Sequence, residues 1–145
     1  MTDNKDYDAT VTIEIKASRE VTWDALTKPE LVKQYMHGAT ITTDWKVGSP
    51  ITWHGTWKDK PYEDKGEVLE YEPSKLLRYT HWSPMLGRED KPENYHIITV
   101  ELSEGSGLTI LTLTQSNNPN QEAADAMAKN GWLPMMLSLK ALVEK

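Results

Sequence analysis

Two of the four histidines in this sequence lie where strand periodicity aims them inward, and imidazole is the side chain that titrates near neutral pH. His96 falls in register with Ile98, Val100 and Leu102 in an alternating run. His81 shares a face with Leu77 and Tyr79, in one of two phases open to the segment Leu76–Trp82; the other presents Leu76, Thr80 and Trp82. Such histidines can move protons to and from a bound molecule, or serve as hydrogen-bonded core residues. His54, His81 and His96 do not form a metal-ligand pattern. No H-x-x-x-H spacing occurs, and the chain has no cysteine to supply thiolate. Nucleophile-elbow, phosphate-loop and dinucleotide glycine patterns are also missing, and Gly105-Ser106-Gly107 reads as a hairpin turn. No catalytic residue, metal or cofactor is therefore assigned, and the sequence gives an enzyme little support.

A second group of residues suits binding. Six Trp and six Tyr stand against no Phe, and indole and phenol rings combine an apolar body with a polar edge. Ile51, Trp53 and Trp57 alternate along one face with Gly55, which leaves room for a close neighbour. Near the C-terminus come Met127, Trp132, Met135 and Met136, and thioethers adapt to irregular volumes. Trp53, Trp57, Tyr79, His81, His96, Met127, Trp132, Met135 and Met136 are accordingly the candidate ligand-binding residues. The chemistry they imply is an apolar or aromatic small molecule held by a few polar groups. The same residues would serve as an ordinary core.

The elements that must position them are legible in turn. Ala9–Lys16 alternates as a strand, and Ser18 is placed to cap a short helix whose apolar face is Val21, Ala25 and Leu26. Pro29 opens a second short helix running through Met36. Strands follow at Thr40–Asp44, Pro50–Lys58, Tyr62–Tyr71, Leu76–Trp82, Tyr95–Ser103 and Leu108–Gln115, with turn residues between most of them. Leu108–Gln115 directs either Leu111 and Leu113 or Leu108 and Ile110 inward. Ser83–Asn94 reads as a flexible loop of the kind that borders sites. Asn118 and Pro119 then suit an N-cap and first helical position for a helix to Glu144, about 39 Å long. That helix is apolar nearly all round from Trp132 to Leu139, so burial on several sides is expected, with a kink at Pro134. Asp59, Glu63, Asp64, Glu67, Glu70 and Glu72 read as a solvated acidic face, or as a patch for a basic partner.

Length and charge set the frame. At 145 residues there is room for one ordinary domain, expected over 9–145 after a flexible 1–8. A net charge of −6 disfavours nucleic acid. No apolar run approaches the ~20 residues of a membrane span, and the start shows no signal-peptide core. A cytoplasmic location is the expectation. Oligomeric state is not legible.

The order strand, two helices, six strands and long helix resembles the START and polyketide-cyclase superfamily (SRPBCC), whose α+β helix-grip fold wraps a curved antiparallel sheet around a C-terminal helix. Val21-Thr22-Trp23-Asp24-Ala25-Leu26-Thr27-Lys28-Pro29-Glu30-Leu31, the hairpin from Gly66 to Thr80, and Gly131-Trp132 followed by Leu137, Leu139, Lys140, Leu142 and Glu144 resemble one branch of it. That branch is named for the activator of the heat-shock protein 90 ATPase. The resemblance implies a cavity between sheet and helix, and alternatively a co-chaperone-like module for heat-shock protein 90 or a small cyclase or hydrolase. The co-chaperone naming the branch carries a further N-terminal domain, for which this length leaves no room.

Overall fold

In the computed structural model, residues 7–84 and 87–144 are described, save the side chain of Trp57. β1 (Tyr7–Ile15) leads into α1 (Arg19–Thr27) and α2 (Pro29–Tyr35). Six strands follow: β2 (Thr40–Thr42), β3 (Pro50–Trp57), β4 (Lys60–Glu72), β5 (Leu76–His81), β6 (His96–Gly105) and β7 (Leu108–Asn118). The chain closes with α3 (Gln121–Ala126), a π-helical turn over Met127–Trp132, and α4 (Leu133–Val143).

The strands form one antiparallel sheet in the order β1-β7-β6-β5-β4-β3-β2. Its curve has a local cause in β4. This thirteen-residue strand pairs with β3 over its first part and with β5 over its last, and its register with β5 shifts between Val68 and Glu70. At Gly66 a Cβ atom would lie 1.7 Å from the Thr80 carbonyl oxygen, an approach only glycine permits. Side chains on the concave face meet the helices in one core. Ile15, Ile51, Ile98, Leu111, Leu113, Met136 and Leu139 are fully buried there, each contributing roughly 1.5–3 kcal/mol. This is the helix-grip α+β architecture.

The strand phases resolve in favour of Leu77, Tyr79 and His81 on β5, and of Leu111 and Leu113 on β7. Ser18 caps α1, its Oγ accepting from the Val21 N–H at 3.1 Å. Val21 itself is 46% exposed, and Thr22 and Trp23 complete the buried face in its stead. At the C-terminal helix three expectations change. Asn118 ends β7, and its amide donates to the carbonyls of Tyr7 (2.8 Å) and Gln115 (3.0 Å), so the cap falls to Asn120, which accepts from Ala123 N–H at 2.8 Å. The irregularity attributed to Pro134 begins earlier, as the π turn, and Pro134 follows it as the second residue of α4. Burial is also one-sided: Met136 and Leu139 are covered while Leu137 is 46% exposed, because α1, α2 and β1 flank α4 without enclosing it. The far end of α4 is tied to β1, where Glu144 accepts from the Lys16 N–H at 2.7 Å and Lys140 donates to the Glu14 carbonyl at 2.7 Å.

Candidate functional site

Between the sheet and the helical segment 127–135 lies a cavity of about 240 Å³. Its sheet wall is built by alternation: Trp53 from β3, Tyr62 and Asp64 from β4, Tyr79 and His81 from β5, His96 from β6 and Gln115 from β7. Met127, Gly131, Trp132 and Met135 form the helical wall, and Met36, His37 and Ala39 the side nearest α2. His37 and Gly131 are both exposed, which puts the mouth between the end of α2 and the π turn.

The apolar part is aromatic. Trp53 packs on Tyr79 with centroids 5.2 Å apart and meets the edge of His81 at 5.1 Å. Tyr62 lies over Gly55, so the room left by that glycine is filled by a phenol; a Cβ there would come within 2.6 Å of the Tyr62 oxygen. Burial, with the nearby Asp64 carboxylate, holds the Tyr62 phenol above its ordinary pKa.

Polar groups are gathered in a row across four neighbouring strands, Asp64, His81, His96 and Gln115. His81 and His96 are direct cross-strand partners. His81 Nε2 meets Asp64 Oδ2 at 3.0 Å. The other oxygen, Asp64 Oδ1, is covered and without a partner among the described residues. His96 Nδ1 lies 2.8 Å from the Ser116 carbonyl, which can only accept, so Nδ1 carries the proton. Nε2 is then the acceptor of the neutral ring, with no hydrogen bond among the described residues. Burial lowers the His96 pKa, and the charges of His81 and Arg88 act in the same direction. At the end of the row the Trp132 indole N–H bonds Gln115 Oε1, joining helix to sheet. That bond orients the Gln115 amide nitrogen toward Asn118 Oδ1 at 3.4 Å, so its 3.3 Å approach to His96 Nδ1 sets two donors side by side and is a packing contact.

Of the residues singled out from sequence, Trp53, Tyr79, His81, His96, Met127, Trp132 and Met135 surround this cavity. Met136 does not. It is 1% exposed and sits in the core, since consecutive helical residues diverge by about 100° and Met135 takes the cavity side. The Trp57 side chain lies outside the described residues. His54 points to the opposite face, exposed, with Glu63 4.0 Å away, and is remote in orientation from the other two histidines.

Sequence reasoning missed Met36, His37, Ala39, Tyr62, Asp64, Gln115 and Gly131. The reading of Asp64 as solvated is corrected here: its side chain is 17% exposed and faces the cavity, opposite Trp53 in register. The signal was present in the turn. Lys58 and Asp59 both have positive φ (52° and 67°), a two-residue hairpin loop that pairs Trp57 with Lys60 and so puts Asp64 on the Trp53 face.

Fold and cavity together define an SRPBCC-type helix-grip domain, a class of ligand-binding domains in general. The sequence profile of the family described as Activator of Hsp90 ATPase homolog 1-like protein matches residues 16–144, and the chain belongs to that family. Among solved structures, ChR145 from Cytophaga hutchinsonii is 42% identical, covering 94% of this chain and 93% of that one with a TM-score of 0.83. MLL2253 from Mesorhizobium loti is 28% identical over 92% and 95% of the two chains, with a TM-score of 0.70. The Aha1 dimer from Colwellia psychrerythraea, 24% identical over 94% and 96% with a TM-score of 0.73, shares the fold. No curated protein gives a significant match. Among the described residues no helix is long and apolar enough to cross a membrane.

Proposed function

We propose that this chain binds a small, largely apolar or aromatic molecule in the cavity between the sheet and the C-terminal helix. The observation that carries the reading is the cavity itself, about 240 Å³, walled by indole, phenol and thioether groups and crossed by one row of polar side chains. Apolar walls with a few convergent polar groups are the usual composition of small-molecule sites, and this volume favours a ligand of about one or two rings. In this reading Trp53, Tyr79, Met127, Trp132 and Met135 supply contact area, while His81 and His96 supply hydrogen bonds.

Native mass spectrometry of freshly purified protein, followed by denaturation to release what is bound, tests the reading directly. A released aromatic or apolar compound supports it. A chain that emerges empty and takes up no aromatic probe at millimolar concentration sinks it.

A second reading has one specific support, the description of the family, which is named for an activator of the Hsp90 ATPase. It requires that the chain raise ATP hydrolysis by an Hsp90 partner. An unchanged rate at saturating chain, with no complex on gel filtration, removes it.

A further inference from the structure

The acceptor capacity around the cavity's polar row exceeds the donors the protein brings to it. A carboxylate offers two oxygens and about four lone-pair positions. At Asp64 only Oδ2 is engaged, by His81 Nε2, while Oδ1 is covered by protein and bonded to no described residue. Leaving a buried carboxylate oxygen unpaired is costly, and native structures rarely tolerate it without a role. One strand pair away, His96 has committed its N–H to the Ser116 carbonyl and presents an acceptor at Nε2. Along this row the uncommitted positions are acceptors and the partners they lack are donors; the Tyr62 and Tyr79 phenols, which line the same cavity, can accept as well as donate.

Resting on the ligand-binding reading, we propose that the ligand is a hydroxylated aromatic whose O–H donates to the Asp64 carboxylate while its ring lies among Trp53, Tyr79 and Trp132. The Asp64 side chain lines the cavity and is 17% exposed while Oδ1 is covered, so the ligand meets the carboxylate at Oδ2, which keeps a lone-pair position beside its bond to His81. A donor bonded to an ionised acceptor in an enclosed site is among the stronger neutral-to-charged contacts. His81 Nε2 already donates to this carboxylate, so the ligand adds a second hydrogen bond to it rather than the first. The neighbouring Trp–Tyr pair, 5.2 Å between centroids, offers a flat ring an edge or face to pack on.

The test is titration calorimetry of the full chain with four probes of one ring system: naphthol, methoxynaphthalene, naphthalene and naphthylmethylamine. The expected result is naphthol binding about tenfold or more tightly than methoxynaphthalene and naphthalene. Asp64→Leu should erase that preference, so that naphthol binds no more tightly than naphthalene, with circular dichroism checking that the variant folds. Asp64→Asn, which keeps an acceptor without the charge, should retain part of it. Equal affinity for naphthol, its methyl ether and naphthalene overturns the hydroxyl assignment and leaves the cavity reading standing. Tightest binding by the amine also overturns it, in favour of an organic cation. Failure of all four probes to bind overturns both.

Discussion

At the scale of single residues, His96 ties the site to pH. Its folded pKa lies below the ordinary value of 6.5, chiefly through burial. The unfolded chain therefore holds the additional proton in the window between the two values, and acidification there favours unfolding. Its contribution to stability is complete above pH 6.5 and is lost as pH falls through the folded value. Urea midpoints measured from about pH 8 to about pH 5 should fall, and His96→Gln should flatten the fall. A slope unchanged in the variant would remove His96 as its source. The glycines of β3 and β4 give a contrasting pair. Gly66→Ala drives a methyl into the Thr80 backbone and should cost about 1–3 kcal/mol or more, read as a lowered urea midpoint. Gly55→Ala meets the far end of Tyr62, a side chain that can swing aside, and should be the milder of the two. The orientation of His96 was legible in the sequence because period-two alternation settles which face a strand residue takes, whereas for His81 alternation left two phases open. Asp64 was not, because a carboxylate among five other acidic residues looks solvated unless the hairpin register is counted from its turn.

Among elements, the π turn over Met127–Trp132 decides what the helical wall presents. The Leu133 N–H reaches back to the Ala128 carbonyl, one residue further than in an α-helix, and such insertions are frequent at functional sites. Deleting the exposed Lys129 should restore α-helical spacing. With α4 held by Met136, Leu139 and the Glu144 ties, the adjustment falls on the preceding turn, which rotates by about 100° and takes Met127 from the cavity. Circular dichroism should be preserved while naphthol affinity drops by about tenfold or more. Retained affinity would show that the turn is incidental to the wall. Strand order was readable because alternation and turn chemistry agree through residues 40–115, while the phases of Leu76–Trp82 and Leu108–Gln115 were left open, since both faces of those segments carry apolar side chains. The helix start was misplaced for a definable reason. Asn118-Pro119 and Asn120 offer competing caps, and only tertiary structure shows that β1 claims Asn118 through the Tyr7 carbonyl.

Taken whole, the molecule leaves one side of its C-terminal helix unenclosed, which composition alone did not reveal. A helix apolar all round suggested wrapping, but a seven-stranded sheet with two open edges covers a single flank. The cavity depends on that incomplete grip, for helix and sheet meet fully at Met136 and Leu139 and part toward the π turn. Among the described residues, the Gln115–Trp132 bond is the one side-chain hydrogen bond that joins the two walls at that level. Trp53 and Trp132 thus face one space from opposite sides, one on the strand floor and one on the helix. Indole emission shifts with the polarity of its surroundings, so the protein carries a built-in optical gauge of its own occupancy. Filling the cavity with an apolar ring should shift the emission to shorter wavelength. Most of the change should vanish in Trp53→Phe and Trp132→Phe, while Trp23→Phe, whose indole packs on Tyr71 in the core, should preserve it.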